Sequence, residues 1–360
     1  MPEPLKHRFS IELVESIAND CHQYYPEFDR TLFIENVLLK DWQQLELKDR
    51  MHRIANILGV YLPTDYPKSI DILLQVAENY SGLAHMCFPD FVEQYGMNDF
   101  KTSMKALEQL TSGSSSEFAV RPFIVRYPRE TMARMQLWAK SDDEHIRRLA
   151  TEGCRPRLPW AMALPEFKKN PSEVLEVILC LIDDDSLYVR RSVANNLNDI
   201  SKDNPELVIE IAAKYLGQSK PVDWVIKHAC RGLLKQGQKQ VLSMFGFTDS
   251  DHVLINNFSV DLQVNLGEKL NFEFELKATD KHLGKLRVEF IVDFMKANGK
   301  TAGKIFKICE GEYLADQKSI TKYFSFKPIS TRKYYVGGHR ISIVVNGDVR
   351  ASKDFELSGQ

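Results

Sequence analysis

Residues 141–150 (SDDEHIRRLA) and residues 184–194 (DDSLYVRRSVA) repeat one pattern of acidic residues, an aliphatic residue and two arginines. The aliphatic positions, Ile146 and Val189, are 43 positions apart. A fainter third copy, VDWVIKHA at residues 222–229, follows about one repeat later. A spacing in this range is typical of stacked helical repeats, in which each repeat packs only against its neighbours. The pattern therefore predicts a helical solenoid.

The sequence around these copies has the same helical character. From about Ile11 to Phe245, apolar residues recur at spacings of three and four, as amphipathic helices require. Prolines interrupt these runs where helices are expected to begin or end. Together with the 43-residue offset, this predicts an all-α solenoid of HEAT-like repeats.

After Gly246 the period of the apolar residues changes to two. The stretch 270–276, LNFEFEL, alternates strictly, which is typical of half-buried strands. About seven short strands fit between His252 and Leu357, separated by turn signals such as Asn298-Gly299. We therefore predict a small all-β sandwich. The predicted domains are residues 1–248, helical, and residues 249–360, β.

Composition limits the classes of protein that fit. Of 360 residues, 44% are hydrophobic and 27% are charged, which indicates a folded protein. The net charge of −2 argues against a generally basic nucleic-acid coat protein, although it permits a local basic face. The six cysteines are scattered, so we expect reduced thiols in a cytoplasmic protein, with no metal site. No apolar run is long enough to span a membrane.

Basic residues cluster in the repeats. If several project from equivalent helix starts, they line the concave face of the solenoid and contact DNA phosphates. The same cluster would also fit a solvated surface, or ladders of arginine and aspartate between repeats, and both alternatives stay open. The candidate DNA contacts are Arg121, Arg147, Arg148, Arg155, Arg157, Arg190, Arg191, Lys227 and Arg231.

Carboxylates and an indole lie within the same region. The stretch 152–160, EGCRPRLPW, places Glu152 and Trp160 beside two arginines and two prolines. Glu117 follows a serine-rich turn, and Asp199 is expected at the end of a repeat helix. Taken singly these are ordinary acids, since a carboxylate at a helix end is usually a cap.

Four runs resemble one known family: SEFAVRP (116–122), RRLATEGCRPRLPW (147–160), VRRSVANNLNDI (189–200) and VIKHA (225–229). They look like the AlkC branch of the bacterial AlkC/AlkD alkylpurine DNA glycosylases. The resemblance covers about residues 10–247, and the 152–160 block is its most specific part. Some members of that branch also carry an immunoglobulin-like C-terminal domain, which agrees with the change of period.

The resemblance implies a monofunctional DNA repair enzyme that needs no cofactor. It would hydrolyse the N-glycosidic bond of cationic alkylated bases, notably 3-methyladenine and 3-methylcytosine, in duplex DNA without fully extruding the base. The carried-over active-site residues are Glu117, Glu152, Asp199 and the aromatic Trp160. Carboxylates of this kind stabilise an oxocarbenium-like sugar and orient water. We expect Asp199 or Glu152 to position the water, although the sequence does not rank the acids.

Two further functional classes compete with this interpretation. A non-catalytic HEAT-repeat scaffold that binds DNA or protein would have the same repeats but no need for the four active-site residues. A metal-dependent nuclease is disfavoured, because no compact set of ligands at metal-binding spacing is present. Basic residues of the β-half, such as Arg287 and Lys304, fit either a DNA contact or a stabilising or protein-binding module. No obligate protein partner is inferred.

Overall fold

A computed structural model describes residues 3–279, 281–329 and 332–359. Helices occupy the chain as far as Met244, and strands begin at Val253. This order confirms the predicted succession of a helical-repeat half and a β-sheet half. In the described residues the helices are α1 (Ile11–Tyr24), α2 (Arg30–Val37), α3 (Leu47–Tyr61), α4 (Tyr66–Ala77), α5 (Cys87–Tyr95), α6 (Phe100–Leu110), α7 (Arg121–Arg126), α8 (Pro128–Trp138), α9 (Glu144–Gly153), α10 (Pro165–Lys169), α11 (Ser172–Ile178), α12 (Leu187–Ile200), α13 (Pro205–Tyr215), α14 (Lys220–Ala229), α15 (Arg231–Lys235) and α16 (Lys239–Met244).

The first two copies of the repeat motif begin helices α9 and α12 in the same way. The side chain of Asp143 caps α9 by accepting a hydrogen bond from the backbone N–H of His145, and Ser186 caps α12 through Tyr188. Such caps satisfy donors that have no partner inside the helix. The third copy lies in α14. Because α9 packs on α12 and α12 on α14, the three copies form one layer, here called the repeat-helix layer.

The first arginine of each pair is bonded within the protein. Arg147 forms two hydrogen bonds to the carboxylate of Asp184 in the next repeat, at 2.7 and 3.1 Å, and it also binds carbonyls of the preceding loop. Arg190 binds the backbone carbonyls of Asp184 and Asp185. Both guanidinium groups already have partners within the protein, so the predicted DNA contacts of Arg147 and Arg190 would compete with these bonds and stay predictions.

The β-half contains two sheets that share one hydrophobic core. Their strand orders are β1-β3-β6 and β2-β8-β7-β4-β5. Phe272 of one sheet and Phe290 of the other lie with ring centroids 5.0 Å apart. The described residues form one strand more than predicted, because three-residue β2 is too short to show alternation. The strands are β1 (Val253–Val260), β2 (Gln263–Asn265), β3 (Lys269–Ala278), β4 (Gly284–Met295), β5 (Thr301–Tyr313), β6 (Gln317–Ser325), β7 (Gly337–Val345) and β8 (Asp348–Ser358).

One candidate cation of the β-half is buried. The guanidinium of Arg287 lies in an ion-pair network with Glu289 and Glu310, at 2.7 Å from each carboxylate. Both Arg287 and Glu289 are buried, so this arginine stabilises the sheet. For Arg287, these contacts favour the stabilising alternative over a DNA contact.

Contacts between residues divide the chain into two compact units. The first contains Met1–Val208 and Lys214–Ala229, and the second contains Ile209–Ala213 and Cys230–Gln360. The predicted boundary between residues 248 and 249 lies where helices give way to strands, and it stays a prediction. Within the described ranges, no helix is long and apolar enough to cross a membrane. No group of three His, Cys, Asp or Glu side chains there is arranged to hold a metal ion.

Candidate functional site

Four elements of the first unit bring the predicted site residues together. Glu117 lies in a turn just before α7, Glu152 lies near the end of α9, and Asp199 lies near the end of α12. Trp160 lies in the loop that follows α9. Two consecutive repeats thus supply Glu152 and Asp199, each from the C-terminal end of its helix. The two acids are 47 positions apart, so they are not matched positions of the 43-residue repeat.

An alternating series of acids and cations joins these positions. Arg148 binds the carboxylate of Glu117 and lies 3.7 Å from that of Glu152. Arg155 binds Glu152 and also Asp199, with its Nε atom 2.8 Å from Oδ2 of Asp199. Lys202 completes the series at 2.9 Å from Oδ1 of Asp199. Three carboxylates are therefore matched by three cations, so the formal charges of the series balance.

The three carboxylates differ in the oxygens they leave available. One oxygen of Glu152 accepts from Arg155 and the other from the hydroxyl of Ser192 at 2.5 Å. Both oxygens of Asp199 are likewise bonded, one to Arg155 and one to Lys202. Glu117 uses Oε2 for Arg148 and for Ser115, whereas no donor among the described residues bonds its Oε1. Glu117 is therefore the acid with an acceptor oxygen left for a water molecule.

A cleft of about 440 Å³ opens beside this series. Its walls include Glu117, Arg148, Glu152, Trp160 and Tyr188. The indole of Trp160 is 65% exposed, so one wall of the cleft is an accessible aromatic surface. The cleft thus combines carboxylates with an aromatic face, which is suited to a cationic ligand.

Asp199 does not line this cleft. Its side chain is 2% exposed and lies behind Arg155. Each carboxylate oxygen of Asp199 and of Glu152 already accepts a hydrogen bond within the protein, and Asp199 is also enclosed. These contacts do not favour the prediction that either acid positions the water. Asp199 is better described as the acid that fixes Arg155.

Two of the predicted DNA-contacting arginines are buried inside the protein. Arg121 is completely buried and donates to the carbonyls of Gly153, Arg155 and Met162. Burial lowers the pKa of Arg121 to about 10. Arg155 is buried between two carboxylates, and although burial opposes its charge, those carboxylates raise its pKa. Their burial does not favour the predicted DNA contacts of Arg121 and Arg155.

Arg157 forms a two-point ion pair with Asp203, at 2.9 and 2.6 Å. The hydrogen bonds from Arg157 lower the pKa of Asp203. This arginine is exposed, but its donors are already directed to a carboxylate. Its expected contact with DNA therefore has a competitor within the protein.

The second cation of each repeat motif is exposed in two of the three copies. Arg148, Arg191 and Lys227 occupy equivalent positions in α9, α12 and α14, and the latter two are exposed. Arg231 is half-buried in α15. Of the nine predicted cations, Arg191 and Lys227 are those the repeat pattern places at equivalent exposed positions.

Two residues of the cleft were missed by the sequence analysis. One of them is Tyr188, which precedes Val189 in the repeat motif. Its ring centroid lies 5.2 Å from the guanidinium of Arg148. Aligning the copies would have found it, because His145 and Trp224 hold the same position. Lys48, from α3, donates to the backbone oxygen of Trp160. No local signal marks Lys48, since its partner lies 112 residues away.

Family models match both halves of the chain. The family described as "DNA alkylation repair enzyme" matches residues 111–233, and the family described as "Uncharacterised protein YhaZ, C-terminal Ig-like domain" matches residues 255–359. The uncharacterized protein YhaZ of Bacillus subtilis (strain 168) is 41% identical over 355 residues, which cover 98% of this chain and 99% of that protein.

A solved structure is similar over the whole length. It is that of the Pseudomonas fluorescens alkylpurine DNA glycosylase AlkC bound to DNA containing an abasic site analog. The TM-score is 0.95 at 36% identity, and the match covers 99% of this chain and 100% of that one. The chain therefore belongs to the family of AlkC-type DNA glycosylases that carry an immunoglobulin-like C-terminal domain.

Proposed function

We propose that this protein hydrolyses the N-glycosidic bond of cationic alkylated bases, notably 3-methyladenine and 3-methylcytosine, in duplex DNA. The observation that carries the proposal is the cleft in which Glu117 and Glu152 lie beside the exposed indole of Trp160. An N3-alkylated base is already a cation and a good leaving group. The protein must therefore mainly stabilise the positive charge that develops on the sugar.

Glu117 is the proposed water-positioning residue. It lines the cleft, and its Oε1 atom accepts no hydrogen bond from the described residues. Arg148 and Ser115 fix its other oxygen, so the carboxylate needs little reorganisation when the sugar becomes positive. Glu152 is proposed to stabilise that charge from its fixed position, and Asp199 to act through Arg155.

Trp160 is proposed to contact the deoxyribose or the lesion. Its exposure supports a reaction without full extrusion of the base, because a closed pocket would enclose its aromatic wall. No lysine is proposed as a nucleophile, so we expect simple hydrolysis without cleavage of the strand.

The repeat-helix layer is proposed to hold the duplex. Arg191 and Lys227 lie at equivalent, exposed positions of α12 and α14 and would contact phosphates. Trp224 is 38% exposed and stacks on His228 with ring centroids 5.1 Å apart. It holds the repeat position of Tyr188, so we propose that it packs against a sugar of the same strand. Arg231 stays a weaker candidate.

The test is single-turnover release of free 3-methyladenine from alkylated duplex DNA. Glu117→Gln should lower the rate by about 100-fold or more, since an amide neither accepts a proton nor carries charge. Glu152→Gln and Asp199→Asn should also lower the rate of base release. Glu166→Gln, in an exposed ion pair with Lys169, is the matched control and should keep the wild-type rate. Wild-type rates in all three site variants would refute the assignment.

The alternative function is a scaffold that binds DNA without catalysis. It predicts that the wild-type protein binds duplex DNA but releases no base under any condition. The same assay separates the two functions, provided that binding to the alkylated duplex is measured in parallel.

A further inference from the structure

Trp160 adopts a backbone conformation that a bulky residue does not hold by itself. Its φ is +64°, in the left-handed region. A side chain with a Cβ is disfavoured there, and a large aromatic residue is seldom found in it. Some interaction from outside the loop must therefore hold the residue in this conformation.

Two cations bind the carbonyls of the loop that carries Trp160. Arg121 binds it from the interior, where its guanidinium donates to the oxygens of Gly153, Arg155 and Met162 at 2.8 to 2.9 Å. These contacts flank Trp160 on both sides but do not include it. The carbonyl of Trp160 itself accepts from Lys48.

Lys48 reaches this carbonyl from α3. Its Nζ atom lies 3.0 Å from the oxygen of Trp160 and 5.0 Å from the ring centroid of Phe118. Phe118 follows Glu117 directly, and both line the cleft with Lys48 and Trp160. The ammonium is thus held between an aromatic face and a carbonyl, which fixes its position better than a single hydrogen bond would.

We propose that Lys48 is a positioning residue that holds the indole of Trp160 at the cleft. It fixes the carbonyl of the residue with the left-handed backbone, and so it sets the direction in which the indole points. Its effect on base release rests on the proposed function, whereas its effect on the indole does not.

The role of Lys48 can be separated from folding. Arg121 is fully buried with several backbone partners, so its removal would disturb the whole loop. Lys48 is only half-buried at the rim, and it forms one hydrogen bond with the loop. Losing its ammonium leaves the interior contacts of the loop in place.

The experiment uses the full chain labelled with fluorotryptophan. The chain has four tryptophans, and each labelled indole gives a fluorine NMR signal. Trp160→Phe identifies the signal of Trp160. Lys48→Met keeps the aliphatic stem and removes the donor, and it should shift or broaden that signal alone. Lys48→Arg keeps a donor and a cation, so it should restore the signal. Lys6→Met is the matched control, because Lys6 is also half-buried and bonds a single partner, Glu46.

Base release is measured on the same samples in single turnover. Lys48→Met should be slower by about 2- to 10-fold, and by no more than removal of the indole itself, because a misplaced contact group costs catalysis without changing the chemistry. Lys48→Arg should recover most of the rate. An unchanged Trp160 signal in Lys48→Met overturns the proposal, and so does an equal change in Lys6→Met.

The remaining outcomes separate the two claims. A shifted signal with an unchanged rate overturns the catalytic part of the inference. If the wild-type protein releases no base while Lys48→Met still shifts the Trp160 signal, the proposed function fails and the positioning by Lys48 stands.

Discussion

The Nε atom of Arg155 lies 2.8 Å from Oδ2 of Asp199, a residue 44 positions later in the chain, and both side chains are buried. Arg155 belongs to the loop after α9, and Asp199 belongs to the helix of the next repeat. One ion pair therefore joins two repeats directly behind the cleft. A residue expected to bind DNA instead fixes the carboxylates around it.

Replacing Arg155 should be costly because its removal leaves two buried carboxylates without their cation. We expect Arg155→Gln to lower the free energy of unfolding by about 3–5 kcal/mol. Arg157→Gln breaks an exposed pair with Asp203 and should cost about 1 kcal/mol or less. Urea denaturation, monitored by the circular dichroism of the helices, measures the free energy of unfolding of both variants. Equal costs in the two variants would contradict the structural role assigned to Arg155.

The aromatic face of Trp160 should contribute to the reaction. Trp160→Ala removes the ring and should slow the release of 3-methyladenine by about 2- to 30-fold, the range that corresponds to one cation–π contact. Trp160→Phe keeps an aromatic face and should lie between alanine and wild type. The measurement is again single-turnover release, with DNA affinity determined separately. A fully active alanine variant would show that the indole has no part in the chemistry.

The equivalent cations of the repeat-helix layer should control the salt dependence of DNA binding. Each of Arg191→Gln and Lys227→Gln should reduce the slope of log K against log salt concentration by about 0.9, since each loses one phosphate contact. Arg147→Gln is the internal control, because Arg147 is bound to Asp184. It should lower stability and leave the slope unchanged. Fluorescence anisotropy over a range of salt concentrations distinguishes the three variants.

His85 should make the stability of the helical half depend on pH. Its imidazole is 2% exposed, and burial lowers its pKa to about 4 from the ordinary 6.5. Between pH 4 and pH 6.5, the imidazole of His85 binds a proton in the unfolded chain but not in the folded protein. The contribution of His85 to the free energy of unfolding should therefore fall by about 3 kcal/mol as the pH drops from 6.5 to 4.

The control for this prediction is the variant His85→Leu, which should lose that contribution. The comparison with the variant is needed because Glu93 titrates in the opposite sense. Burial raises the pKa of Glu93 to about 7, so its contribution to stability falls as the pH rises through much the same window. Identical pH profiles of wild type and His85→Leu would show that His85 does not titrate as described.

The sequence by itself determined the class of fold and supplied the candidate residues of the site. Spacings of three and four specify helices, and a period of two specifies strands, because these periods decide which side chains share a face. The 43-residue offset placed helices α9 and α12 in neighbouring repeats, and each of these helices carries one of the acids Glu152 and Asp199. The block at 152–160 supplied Trp160 and the resemblance to the family.

Only the tertiary structure decided what each charged side chain does. Two adjacent arginines look alike in a sequence, yet Arg147 binds the next repeat whereas Arg148 binds the acids of the cleft. The ranking of Glu117 above Asp199 likewise depends on which oxygens are already bonded. Burial and hydrogen-bond partners arise from residues far apart in the chain, such as Lys48 and Trp160, so no local pattern records them.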